Sequence, residues 1–184
     1  NEKDQKALCK LSVFPGTFDS QAASRVSEQN VDTLQTLSQS GLIKSDLLSK
    51  RYIIHSWIKK QLKDYLPEMD LREARIRHAI FYLSIFDTAG ESFSQGGEKV
   101  VEGLKLFHQE WENIRCGLSR VHKGSVEGKK AAELFSSYMR AGNQLLRFHF
   151  FQKECREFLE AALKISRRLG TEDIETFHLL NLGT

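Results

Sequence analysis

The stretch RYIIHSWIKKQL, residues 51–62, contains the transition that decides the fold of the first part of the chain. Residues 52–54 form a short apolar run typical of a strand, whereas Ile58 and Leu62 continue at helical spacing. The pattern therefore predicts a strand that becomes a helix at His55. A histidine at such a junction either packs there or is placed to contact a ligand.

Three short helices are predicted before this stretch, because apolar residues recur at helical spacing between turn and cap signals. Pro15-Gly16 closes the first helix, Asp19 has N-cap chemistry for the second, and Gly41 ends the third. These helices cover residues 5–14, residues 20–28, and residues from Asn30 or Asp32 to Gly41.

Two extended runs follow, GLIKS and RYIIH, with the polar loop DLLSK between them. They are predicted to pair antiparallel as a hairpin, with the first strand over residues 42–45. Three short helices and then a two-stranded hairpin is the element order of a winged helix. We place this domain at residues 1–68.

Beyond Pro67 the apolar pattern is helical only, which makes the predicted fold class mainly α. The loop TAGESFSQGG is predicted at residues 88–97, and a core cluster at Phe148, Phe150 and Phe151. The helices over residues 129–147 and 151–169 are predicted to form an antiparallel hairpin of tetratricopeptide-like type, and the tail opens a further helix about 40 residues after the first of the pair, a period in the range of helical repeats. Helices are predicted over residues 71–86, 98–122, 129–147 and 151–169, and from residue 174. The division is a helical spacer at 69–128 and the start of a tetratricopeptide-like array at 129–184.

The overall charge gives no broad attraction for nucleic acid or membrane, since 27 Lys and Arg stand against 24 Asp and Glu, for a net +3. No apolar run reaches the roughly 20 residues that cross a bilayer. Three widely spaced cysteines without a CxxC pair indicate a reduced, cytoplasmic location. The sequence starts without Met, and we expect it to be part of a longer chain.

The sequence offers no catalytic or metal site. GSVEGKK, residues 124–130, lacks the glycine spacing and the Ser or Thr of a P-loop, and is interpreted as a solvated loop. His108, Glu110 and Glu112 lack the paired histidines of zinc hydrolases and are interpreted as a solvated helix face. We therefore predict that this chain is not an enzyme. His78 is expected to be partly buried in a helix interface.

The charge pattern of the third helix disfavours DNA binding by the winged helix. The third helix, within NVDTLQTLSQSG, has no Lys or Arg, and Asp32 would face the phosphates. Basic residues gather instead at Lys59, Lys60 and Lys63, which a solvated helix face explains at least as well. Nucleic acid is therefore not expected as a partner.

Several segments together resemble signal-transducing NTPases of the STAND class with an NB-ARC-type core, which include apoptosome ATPases, plant resistance proteins and bacterial regulators. The winged-helix part of the likeness is carried by ALCKLSVFPGTFDSQAASRV, LQTLSQSGLI and RYIIHSWIKKQLKDYL. RHAIFYLSIF, EWENIRCGL and FLEAALKISRRLG resemble the helices that lead such proteins into tetratricopeptide-like repeats. The resemblance covers nearly the whole chain.

The resemblance gives His55 a role. In that family a Met-His-Asp motif ends the strand after the wing, and its histidine reaches the β-phosphate of ADP on the upstream NTPase domain. Ile54, His55 and Ser56 occupy the motif here, so the histidine is present and the aspartate is missing. The alternative is that His55 only caps or packs at the start of a helix over residues 56–66, where Ser56 could itself be the N-cap.

The function that follows is regulatory. The resemblance implies that the winged helix holds an upstream NTPase domain of the same chain in its ADP-bound off state, through His55. A protein or small ligand on the helical repeats would release it, with oligomerisation of the parent on activation. ADP or ATP belongs to the parent, and no tight binding to this chain alone is expected. The alternative is a winged-helix transcription regulator with a helical dimerisation or sensor region.

Overall fold

A computed structural model describes residues 2–62, 65, 67–126, 128–149 and 152–183, and within them the side chains of residues 69, 143, 148, 149 and 152–154 are not described. The fold is mainly helical with a small two-stranded antiparallel sheet. The elements are α1 Glu2–Leu11, α2 Ser20–Ser27, α3 Val31–Gln39, β1 Lys44–Asp46, β2 Arg51–Ile53, α4 Ser56–Gln61, α5 Glu68–Ser94, α6 Glu98–Gly124, α7 Lys129–Ala141, α8 Asn143–His149, α9 Gln152–Leu169 and α10 Glu172–Leu182.

The chain forms two compact units, residues 1–81 and residues 82–184. The predicted division at residues 68 and 128 is a finer one and stays a prediction. The predicted cluster of phenylalanines lies outside what the structure describes, because residues 150 and 151 and the side chain of residue 148 are not included.

Local signals fix the start of the first unit. Asp19 is the N-cap of α2, accepting a 2.7 Å hydrogen bond from the backbone N–H of Ala22. Asn30 caps α3 in the same way through the N–H of Thr33, and Gly41 adopts φ +72° after that helix. Both caps and the turn at Gly41 confirm the prediction for this region.

The hairpin is confirmed with a small shift, since β1 begins at Lys44 rather than at residue 42. Ser45 faces Tyr52 across the pair. Phe18 adds a further bridge, exchanging backbone hydrogen bonds of 3.0 and 2.7 Å with Tyr52. The segment before α2 therefore joins the sheet, which the sequence pattern did not reveal.

The core of the first unit is built around stacked rings. Phe14 and Phe18 are fully buried with their ring centroids 4.2 Å apart, and His78 of α5 meets the edge of Phe14 at 5.2 Å. His78 is completely buried, so the expectation of partial burial was wrong. The imidazole of His78 therefore contributes to the packing of the core of this unit.

The loop predicted at residues 88–97 is wrong over most of its length, because α5 continues to Ser94. Gly90 is buried, and a Cβ added there would lie 2.3 Å from the carbonyl oxygen of Ala141. On α6, a Cβ added at Gly103 would lie 2.6 Å from the carbonyl oxygen of Ala89. Small residues thus let helices of the second unit approach closely, and this packing outweighs the low helix propensity of glycine.

The helix predicted over residues 129–147 is interrupted at Gly142, which separates α7 from α8. Gly142 has φ −124° and ψ 27°, outside the helical region. A Cβ at this position would lie 1.6 Å from Cζ of Phe86. Packing of the buried phenylalanine ring against the backbone therefore places the break.

Candidate functional site

His55 lies at the junction that the sequence indicated, two residues after β2 and directly before α4. Ile54, which precedes it, is buried, whereas His55 itself is exposed. The backbone of His55 is extended, with φ −61° and ψ 139°, and its Nδ1 accepts a 3.2 Å hydrogen bond from the backbone N–H of Trp57. His55 is therefore the N-cap of α4, which confirms the capping role that was one of the two predicted for it, and Ser56 does not take this place.

This hydrogen bond determines where the proton sits on the neutral ring. An Nδ1 that accepts from a backbone N–H cannot carry the proton, so the hydrogen of the neutral imidazole is on Nε2. Within the described residues, Nε2 has no hydrogen-bond partner. The arrangement leaves one oriented N–H donor on an exposed side chain, and such a donor can bind an anionic oxygen.

Two basic side chains, one on each side of His55 in the sequence, link β2 and α4 to the loop that follows α1. Lys59 donates to the carbonyl oxygens of Phe14 and Pro15 at 2.6 and 3.1 Å, and Arg51 donates to the hydroxyl of Thr17 at 2.8 Å. The interpretation of Lys59 as part of a solvated helix face was therefore wrong. Each cation satisfies acceptors of the loop that follows α1.

An apolar groove of about 830 Å³ lies beside α4 and was not predicted. Leu8, Leu37 and Leu62 contribute buried surface to it, and Trp57 projects from its edge with 64% of its surface exposed. Glu2 and Asp4 bring acidic groups to the α1 side of the groove. We call this surface, between α1, α3 and α4, the apolar groove. His55 is not among the residues that line it.

The prediction that His108, Glu110 and Glu112 form a solvated face of α6 is only partly right. His108 and Glu112 are exposed, but Glu110 is buried and accepts 3.2 Å hydrogen bonds from the amides of Gln109 and Asn113. The buried carboxylate of Glu110 thus has its hydrogen-bond partners within the protein, which indicates a structural role. In the described parts of the chain, no group of three or more His, Cys, Asp or Glu side chains could hold a metal ion.

The GSVEGKK segment connects α6 to α7, and its described part is held by the protein itself. The Arg168 guanidinium donates to the carbonyl oxygens of Ser125 and Val126. The Ser125 hydroxyl donates back to the carbonyl oxygen of His122 at 2.6 Å. The described part of the segment is therefore a connection between α6 and α7 that Arg168 of α9 holds by hydrogen bonds.

A buried polar cluster in the second unit gave no signal in the sequence. Ser136 on α7, Ser166 on α9 and His178 on α10 are all buried. The Ser136 Oγ lies 3.2 Å from Nε2 of His178 and 3.4 Å from Oγ of Ser166, which also donates to the Ala162 carbonyl oxygen. Burial lowers the pKa of His178 to about 4. The cluster joins three helices around a neutral imidazole.

Comparison with known proteins finds no matching family model, no significantly similar curated protein and no significantly similar solved structure. No helix in the described ranges combines the length and apolar character needed to cross a bilayer.

Proposed function

We propose that this chain is the regulatory, non-catalytic part of a nucleotide-switched signalling NTPase of the STAND class. Residues 1–68 would act as a winged helix that holds the upstream NTPase domain in its ADP-bound off state. His55 would contact the β-phosphate of ADP. The helical repeats would receive the activating protein or ligand in the cytoplasm, with assembly of the parent on activation.

The observation that carries this proposal is the hydrogen-bond pattern of His55. Its Nδ1 accepts a hydrogen bond from the N–H of Trp57, which favours the tautomer of the neutral ring that carries its proton on Nε2. Nε2–H is therefore the donor that the side chain can offer to a ligand. Such a donor can form a hydrogen bond with a phosphate oxygen without breaking any bond of the nucleotide. A capping role and a phosphate contact are therefore compatible in one side chain, and do not exclude each other.

The second unit supports a repeat-like role for the end of the chain. Only Gly170 and Thr171 separate α9 from α10, and short connections favour antiparallel neighbours. The pair is joined by Arg167, whose Nε donates to Glu175 at 2.8 Å, and by the cluster at His178. Consecutive antiparallel helices are the unit from which tetratricopeptide-like arrays are built.

The alternative, a DNA-binding regulator, finds less support in the exposed residues of α3. Asp32, Gln35 and Gln39 are exposed there, and the helix contains no Lys or Arg. The amides of Gln35 and Gln39 could reach base edges, but Asp32 repels phosphate and no basic side chain of α3 compensates for it. A steep salt dependence of binding to random duplex would favour this alternative.

The test is ADP release from the full-length protein. His55→Asn keeps a side-chain acceptor for the N–H of Trp57 but removes the longer imidazole donor. Loss of one charge-assisted hydrogen bond to phosphate should speed ADP release about ten- to a hundred-fold and raise ligand-independent activity. Lys60→Gln, at an exposed position of the same helix, is the matched control and should leave release unchanged. An unchanged release rate in a folded His55→Asn protein would refute the nucleotide contact.

A further inference from the structure

The two-stranded sheet has one edge with which no other described segment pairs. Phe18 exchanges two backbone hydrogen bonds with Tyr52 and so covers the outer edge of β2. In an antiparallel ladder, the backbone groups of successive residues point alternately to the two sides of the strand. Arg51 and Ile53 therefore direct their N–H and C=O groups towards β1. Ser45, which lies opposite Tyr52, directs its own N–H and C=O away from β2, to the outer edge of β1.

This outer edge of β1, residues 44–46, is named the open edge. Among the described residues, neither the N–H nor the C=O of Ser45 has a hydrogen-bond partner. The Ser45 hydroxyl accepts a 3.2 Å bond from Ser38, which places α3 on the Ser45 face of the sheet. Lys44 and Asp46 point to the opposite face, and both are exposed. An unpaired edge of this kind is a template for a further strand, because its donor and acceptor are already aligned.

The charges of the open edge complement those of a second, antiparallel copy. If Ser45 lies opposite Ser45 of that copy, Lys44 lies opposite Asp46 of the copy, and the reverse pair forms across the symmetry axis. The two serines then exchange backbone hydrogen bonds, so the charged pairs occupy the positions where opposite Cα atoms are only about 4.5 Å apart. Like charges lie on the longer diagonals, so attraction outweighs repulsion.

Asp46 keeps its charge for this contact although it forms hydrogen bonds within its own turn. Its Oδ2 accepts a 2.8 Å bond from the hydroxyl of Ser49, and its Oδ1 accepts a 2.9 Å bond from the N–H of Leu48. These bonds lower the pKa of Asp46, so the carboxylate is ionised at neutral pH. Each carboxylate oxygen can accept a second bond. Lys44 contributes to the same pKa shift from a distance and forms no ion pair with any described residue.

We propose that the open edge of one copy of this chain pairs antiparallel with the open edge of a second copy, which joins two hairpins into a four-stranded sheet. The same surface meets itself across a two-fold axis, so the product is a closed dimer. Short edge strands and edge lysines normally oppose pairing between molecules. Here each lysine faces an aspartate, so the charges that disfavour other strands select this register. The proposal uses neither His55 nor a nucleotide, so it stands apart from the proposed function.

The contact is small, because each copy contributes only three residues of backbone and the side chains around them. We expect a dissociation constant on the order of 0.1 mM, as for weak, transient complexes. Sedimentation of the unchanged chain from about 10 μM to about 1 mM should show reversible dimer formation. Hydrogen exchange at the Ser45 amide should become slower over the same range. A chain that stays monomeric, or exchange at Ser45 that does not change with concentration, overturns the proposal.

Ser45→Pro and Ser45→Ala separate the backbone contact from the side chain. Both remove the hydroxyl that bonds Ser38, but only proline removes the outward N–H. Proline is tolerated in an edge strand where its nitrogen faces away from the sheet, so the hairpin should persist, and circular dichroism checks this. Proline should weaken dimer formation at least about tenfold, and alanine should change it less than about twofold. An equal loss in both variants would count against backbone pairing and overturn the proposal.

Charge reversal provides a test that does not depend on the proline variant. Lys44→Glu places a carboxylate opposite Asp46 of the second copy, and Asp46→Lys places an ammonium group opposite Lys44. Each variant alone should dimerise at least about tenfold more weakly than the unchanged chain. Lys60→Glu, at an exposed position of α4, makes the same change of charge outside the open edge and should dimerise like the unchanged chain.

The decisive measurement mixes Lys44→Glu with Asp46→Lys. Every charged pair across the edge is then attractive, so an equimolar mixture should form a one-to-one complex although neither variant dimerises well alone. Association of the unchanged chain without complex formation between the two folded variants would overturn the proposal. An equal loss of dimer formation in Lys60→Glu would also overturn it, since the effect would then follow net charge and not the register of the open edge.

Discussion

Nε2 of His178 lies 3.2 Å from Oγ of Ser136, so a fully buried imidazole of α10 is joined to α7 by one hydrogen bond. The other ring nitrogen, Nδ1, has no hydrogen-bond partner among the described atoms. A protonated ring would leave one N–H of a buried cation unsatisfied, which is far more costly than a neutral ring in the same place. The packing of α10 therefore requires neutral His178.

We predict that the second unit loses stability as the pH falls from about 6.5 towards about 4. His178 takes up a proton near pH 6.5 when unfolded, but its pKa in the folded protein is about 4. The unfolded state thus binds more protons between these values, so the contribution of neutral His178 is complete above pH 6.5 and disappears as the pH approaches 4. The slope should be at most about 1.4 kcal/mol per pH unit.

Denaturant unfolding at several pH values checks this prediction by comparison with His178→Gln. The glutamine retains a polar group near Ser136 but does not titrate, so its free energy of unfolding should depend less on pH in this window. His108→Gln, at an exposed position, should keep the slope of the unchanged chain. Equal slopes for all three proteins would show that protonation of His178 does not limit stability.

Gly90→Ala should destabilise the second unit, although alanine is the better helix former. The added Cβ would lie 2.3 Å from the carbonyl oxygen of Ala141, and relieving that clash requires the helices to separate. We expect overpacking to cost about 1 to 3 kcal/mol, against a gain of about 1 kcal/mol in helix propensity, so the net loss should be up to about 2 kcal/mol. Chemical denaturation measures the loss, and Glu91→Ala at the neighbouring exposed position should stay within about 0.5 kcal/mol of the unchanged chain.

Gly90 also illustrates where sequence reasoning failed. The run TAGESFSQGG contains the residues of a loop, and a local interpretation of glycine and serine predicts one. The gain that keeps residues 88–94 helical comes from contacts with residues far along the chain, such as Ala141 and Gly103. Sequence spacing does not identify those partners. The same applies to Gly142, where the ring of Phe86 decides a break that the apolar pattern of residues 129–147 conceals.

Features with local causes were predicted well. The caps Asp19 and Asn30 act on N–H groups three residues away, and the hairpin follows from two apolar runs and a turn. The junction at His55 was visible for the same reason. Capping by His55 was one of two predicted roles, although Ser56 is a better N-cap by residue preference alone. The apolar groove and the cluster at His178 were missed because each combines residues from three helices.

Asp19→Ala should lower the stability of the first unit by about 1 kcal/mol, the usual effect of losing an N-cap. The variant leaves the backbone N–H of Ala22 without its side-chain acceptor at the start of α2. Asp19→Asn should recover most of the loss, because an amide oxygen can accept the same bond. Thermal unfolding of the three proteins provides the comparison, and an equal loss for both variants would attribute the effect to charge instead of capping.

His55→Ala and His55→Asn separate the structural role of this residue from any ligand contact. Alanine removes the acceptor for the N–H of Trp57, so we expect a loss of about 1 kcal/mol, whereas asparagine is a good N-cap and should be nearly neutral. Because His55 is exposed and α4 is short, neither variant should unfold the chain. Thermal unfolding and circular dichroism of the 184-residue chain measure both effects.

A large loss of stability with asparagine would mean that the imidazole ring itself supports the fold. Faster ADP release in His55→Asn could then no longer be assigned to a missing phosphate contact. Near-neutral behaviour makes His55→Asn the variant in which a change of nucleotide retention reports on the Nε2–H donor alone.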